Sequence, residues 1–127
     1  MAAHPKKIEN VLALGPEARR DYFVRKVADS EVVWGLRDSG WATGQVAGHT
    51  VVPFWPEAEF ALLCAKDEWD GFKPEPIPLG DFISRWLTGM AQDARLCVIF
   101  PTPDGKGVNM DPGSLRQMID DELKQYE

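Results

Sequence analysis

Apolar positions change their spacing along this chain, and the changes mark out its elements. Before residue 15, Ile8, Val11, Leu12 and Leu14 fall in a loosely helical spacing that Gly15-Pro16 ends. Residues 1–15 therefore read as a tail or a weakly docked helix, and residues 16–127 as a single domain. From Pro16, a favoured first helical residue, Ala18, Tyr22, Phe23, Val27 and Ala28 form an apolar stripe, while Arg19, Arg20, Arg25 and Lys26 cover the rest. After Ser30 the period falls to two: Val32, Trp34 and Leu36 alternate with Val33, Gly35 and Arg37. Asp38-Ser39-Gly40 and Ala47-Gly48-His49 are turn sequences, and Thr50 to Phe54 is β-branched and apolar. Residues 32–54 are thus predicted as a three-stranded antiparallel meander, with Trp34 and Trp41 on neighbouring strands and Pro53 at a strand end or edge.

In the second half, Pro56 opens a helix predicted to reach about Lys66, with Glu57 and Glu59 in its first turn. Asp67 to Pro78 is polar, with prolines at 74, 76 and 78, and reads as a connector or an edge strand. Phe82, Ile83, Trp86, Leu87 and Met90 share one helical face, and Gly89 marks the expected end of that helix. Leu96 to Phe100 is a short apolar run suited to a buried central strand. Val108 to Met110 closes a hairpin with it, and Asp111-Pro112 starts a last helix carrying Leu115, Met118, Ile119, Leu123 and Tyr126. This order favours an α+β fold with a mostly antiparallel sheet and helices packed mainly on one face.

Composition agrees with one globular core: 127 residues, 44% apolar and 27% charged. No apolar run approaches the length of about 20 residues that spans a bilayer, and Met1 to Lys7 turns polar where a signal peptide needs its apolar stretch, so the expected location is cytoplasmic. Cys64 and Cys97 each lie within an apolar segment, where a reduced thiol acts as a small core residue. The net charge of −6 divides into +2 for residues 1–37 and −8 for residues 38–127. A surface of that sign disfavours nucleic acid and anionic membrane and attracts basic partners.

Candidate chemistry is sparse. His4 and His49 lack ligand-spaced neighbours, so no metal site and no cofactor are expected. Gly105-Lys106-Gly107 lacks the leading glycine and the following Ser/Thr of a phosphate loop, and no serine or cysteine has a recognisable nucleophile context. The basic pairs Arg19-Arg20 and Arg25-Lys26 are offset by Glu17, Asp21 and Asp29. Asp67, Glu68 and Asp70 around Trp69 resemble the centre of an interface for Lys or Arg, since an aromatic ring supplies burial and carboxylates orient the charge. The plainer reading has Trp69 folded back into the core.

Trp34-Gly35-Leu36, Gly40-Trp41, Pro53-Phe54-Trp55-Pro56, Ala61, Cys64, Glu68-Trp69, Ile77-Pro78-Leu79, Phe82, Trp86-Leu87 and Phe100-Pro101-Thr102 together resemble a bacterial family known only as domain of unknown function 2750. That resemblance implies a small bacterial cytoplasmic protein and carries over no functional residue. From Trp34 to Trp86 the chain also looks like a family of immunity proteins from bacterial toxin systems, which implies a protein that binds and blocks a partner. The leading expectation is a non-enzymatic module binding a basic protein through Asp67, Glu68, Trp69 and Asp70. Its rival is a small-ligand binder or enzyme with a pocket between sheet and helix lined by Trp41, Trp55 and Trp86.

Overall fold

A computed structural model describes residues 5–126 of the chain. His4 lies outside the described residues. Helix α1 (Pro5–Leu12) docks through Val11, which is buried, with Ile8 and Leu12 packed beside it. Helix α2 (Pro16–Ser30) starts at the predicted proline and buries Phe23, Val24, Val27 and Ala28. Then follow β1 (Val32–Arg37), β2 (Gly44–Val46), β3 (His49–Phe54) and α3 (Ala58–Leu63). A 3-10 turn at Asp67–Trp69 leads into β4 (Lys73–Pro78). The next helix has three consecutive parts: α4 (Leu79–Asp81), a π segment (Phe82–Trp86) and α5 (Leu87–Gln92). The chain ends with β5 (Leu96–Ile99), β6 (Val108–Met110) and α6 (Pro112–Lys124). Asp111 caps α6 as its sequence predicts, its carboxylate accepting from the Ser114 backbone N–H at 3.0 Å.

The class is α+β, but the predicted meander does not form. β2 and β3 do make an antiparallel hairpin, whereas β1 pairs antiparallel with β4, about forty residues further on. Backbone hydrogen bonding explains the choice. Trp34 uses both its N–H and its C=O on Trp55, at 3.0 and 2.8 Å, so it has none left for β4. Antiparallel strands bond at alternate pairs, which leaves Val33–Ile77, Gly35–Glu75 and Arg37–Lys73 as the bonded ones. Pro74, Pro76 and Pro78 fall between them, so their missing donors face the free edge, where they cost the ladder nothing. A run that looks hostile to a strand is thereby suited to an edge.

The largest sheet has the order β2-β3-β5-β6, and β3 and β5 run parallel. The sheet is therefore mixed, and β5 is central as predicted. Phe54 and Trp55, adjacent in sequence, face opposite sides. Phe54 meets Phe82 and Trp86 edge to face at 4.8 and 5.8 Å, which seats the π segment on one face of the sheet. Val52, Cys97 and Ile99 share that face by register and are all buried. Trp55 is fully buried on the other side, against Trp69 at 6.2 Å.

Two local expectations are also corrected. Gly89 does not end its helix. Ala94, at φ 55°, takes the left-handed position instead, with Arg95 N–H bonding back to Met90. The helix predicted to reach Lys66 ends at Leu63, where Cys64 tucks its thiol toward Pro101.

Candidate functional site

Two cross-strand rows define the second face of the four-stranded sheet, on which Val51 and Pro53 are themselves buried. Gly44 pairs with Val51, and Pro53 with Val98, which in turn pairs with Asn109, so these residues point to the same side as Trp55. Beyond Trp55 this face opens into a groove of about 790 Å³. Val98 and the exposed Val46 supply apolar surface over the buried Val51, Asn109 adds an amide, and Gln45 lines the groove while its side chain turns to the opposite face with Thr50. The Gln45 amide already donates to Thr50 Oγ1 at 3.1 Å. Glu68 and Trp69 line the groove from the 3-10 turn, and Pro101, Gly105, Lys106 and Gly107 from the loop after β5.

Both linings are held in place. Trp69 is half-buried, packs edge to face on Trp55, and donates its indole N–H to the Thr43 carbonyl at 3.2 Å. The loop after β5 is fixed from beneath by Arg19, which is only 4% exposed. Its Nε donates to the Phe100 carbonyl at 3.3 Å and its two terminal nitrogens to the Leu14 and Lys106 carbonyls at 2.5 and 2.9 Å. Burial lowers the pKa of that guanidinium, yet three carbonyl acceptors suit its charged form. Trp55 donates its indole N–H to Pro101 at 2.9 Å. Phe100 itself sits at φ 55°, uncommon for a bulky residue, and is held there by the Arg19 contact and a backbone bond from its N–H to Phe54 at 2.9 Å. Gly107 is required by space: a Cβ there would lie 2.5 Å from the Ile99 carbonyl oxygen.

Of the residues singled out in the sequence, Asp67, Glu68 and Asp70 are exposed and enter no ion pair among the described residues. Glu68 lines the groove beside Trp69. Trp41 and Trp86 meet edge to face at 4.7 Å, with Trp41 lying close over Gly35, where an added Cβ would be 2.9 Å from its ring. Trp55 lies on the opposite face, so the three rings of the predicted sheet–helix pocket are not brought together. His49 lines a polar depression with Thr50, Asp93 and Arg95 at the far end of the parallel strands. No group of three or more His, Cys, Asp or Glu among the described residues is placed to hold a metal ion. Burial pushes the Cys64 thiol up to about 11 and the Cys97 thiol up to about 12, so neither is a ready nucleophile.

One polar cluster had no sequence signal. Glu57, 9% exposed, accepts from the Tyr22 hydroxyl at 2.6 Å and from Lys7 Nζ at 2.9 Å. Burial raises its pKa, but those two hydrogen bonds, with the charges of Lys7 and Lys26, outweigh burial and leave it below the ordinary carboxylate value. The cluster ties α1, α2 and the start of α3 together. Its members are 35 and 50 residues apart, so no spacing pattern could reveal it.

Fold and site together define a small α+β domain with a groove on its four-stranded mixed sheet. The chain belongs to a family described as protein of unknown function, DUF2750, whose profile matches residues 20–119. No curated protein and no solved structure matches it. No helix of the described residues is long and apolar enough to cross a membrane.

Proposed function

We propose that this protein is a non-enzymatic binding module whose groove and adjoining acidic turn receive a protein partner with a basic surface. The observation that carries the reading is Trp69. Its ring is fixed by Trp55 and Thr43, it lines the groove with Glu68, and the exposed Asp67, Glu68 and Asp70 flank it in sequence. A pre-positioned aromatic side chain costs little entropy on binding, and exposed carboxylates steer a cationic partner and orient its charge. An immunity-like role, in which the domain caps a basic toxin, is one form of this reading.

The test is affinity capture from lysate of the protein's own organism at low and high salt. The wild type is compared with a variant carrying Asp67→Asn, Glu68→Gln and Asp70→Asn. A basic protein retained by the wild type at low salt, and lost at high salt and from the variant, supports the proposal. Equal retention by both proteins removes the acidic turn from the interface. A blank column at both salts moves the groove, whose volume lies in the range of small-molecule sites, to metabolite screening.

A further inference from the structure

The sheet edges restrict how a partner can use this groove. β4 presents no backbone N–H along its outer edge, because Pro74, Pro76 and Pro78 occupy every outward position. β2 and β6 are three residues long. Each spends its two end residues on its neighbour: Val46 and Gly44 toward β3, Val108 and Met110 toward β5. Only Gln45 and Asn109 direct backbone groups outward. Recognition by strand addition needs a run of alternating donors and acceptors, and no edge here offers one.

An extended segment would therefore lie across the face instead, over Val46, Val98 and Trp69, where its backbone N–H and C=O groups would be desolvated without partners. Each such group is costly. The Gln45 side chain lies on the opposite face with Thr50, so Asn109 is the side-chain amide that the floor offers. A helix satisfies its own backbone and meets an apolar sheet face with side chains alone. The opposite face of this same sheet is covered in that way, with Phe82 and Trp86 of the π segment against Phe54. Four strands at a spacing of about 4.8 Å make a floor about 14 Å across, which accommodates a helix about 10 Å in diameter.

We infer that the groove takes an amphipathic helix of the partner, with its apolar stripe on Val46 and Val98 and its basic residues beside Asp67, Glu68 and Asp70. This rests on the basic-partner reading and adds the partner's conformation to it. Glu68 at the groove, with the exposed Asp67 and Asp70 next to it in the chain, selects a basic helix over a neutral one.

The test uses two synthetic sixteen-residue peptides titrated into the isotope-labelled protein and followed by NMR. One has leucines at i, i+3, i+4 and i+7 spacing among lysines and alanines. The other has the same composition except for two central prolines that prevent a helix. The helical peptide is expected to bind at least tenfold more tightly and to shift the amides of Val51, Val98 and Asn109 and the indole N–H of Trp69. Val98→Lys is expected to weaken it at least tenfold, and Asn109→Arg, at an exposed position, repeats that test without disturbing the core. Equal binding of both peptides, shifts confined to β4, or no binding at millimolar peptide overturns helix docking. If the proline peptide binds as strongly and loses affinity in the Asp67→Asn, Glu68→Gln, Asp70→Asn protein, helix docking fails and the basic-partner reading stands. If the helical peptide binds that variant unchanged, the basic-partner reading fails and the helix mode stands.

Discussion

The two faces of the four-stranded sheet are made by the same strands and have opposite fates. On one, Phe54 packs against Phe82 and Trp86, and Val52, Cys97 and Ile99 are buried beside it. On the other, Val46, Val98 and Asn109 line a groove, and Arg19 with the Trp69 indole holds its walls. The first face holds the domain together through apolar burial. The second is shaped by Arg19, Trp55 and Trp69, which fix the surrounding segments without filling the space between them. Stability and binding should therefore separate between the faces.

The separation is tested most severely at Phe54. Phe54→Ala on the sealed face should cost about 3 to 5 kcal/mol, whereas Asn109→Arg on the open face should stay within about 0.5 kcal/mol, both read from urea melts. A similar loss at the two positions would erase the contrast. Arg19→Met serves the open face through the loop beneath it. It leaves the Phe100, Leu14 and Lys106 carbonyls without their donor, and should cost about 2 to 3 kcal/mol and broaden the NMR signals of residues 101–107.

A smaller effect is expected at Glu57. Its folded pKa lies below its ordinary 4.5, so its contribution is fully present above about pH 4.5 and is lost as pH falls through the lower folded value. Glu57→Gln should cost about 1 to 2 kcal/mol at pH 7 and progressively less in acid, and a pH-independent difference would refute the linkage. The smallest change is a gain. Ala47 and Gly48 both have positive φ, 51° and 83°, in the two-residue turn between β2 and β3. Asn favours that first position, so Ala47→Asn should stabilise the protein by about 0.5 to 1 kcal/mol in the same melts.

What could be read from the sequence was what neighbours in the chain decide. Pro16 and the stripe behind it gave α2, Asp111-Pro112 gave α6, and the Leu96–Phe100 run gave a central strand. The partners of β1 and β3 could not be read, because alternation shows which face a residue takes and not which strand lies beside it. The proline run was correctly an edge strand on one of its two readings, but only the Trp34–Trp55 bonds show which edge it must guard. The site was legible in part. The acidic residues around Trp69 were visible as a cluster, whereas the groove depends on Arg19 reaching Phe100, 81 residues away, and on strands that meet only in space.

The central claim is that the open face is where the partner sits. A photo-crosslinking amino acid placed at Asn109, on the groove floor, and separately at Gln92, exposed at the end of α5, tests it in living cells. The account predicts a discrete crosslinked protein from Asn109 and none from Gln92. Crosslinking from Gln92 alone, or equally from both, would contradict it.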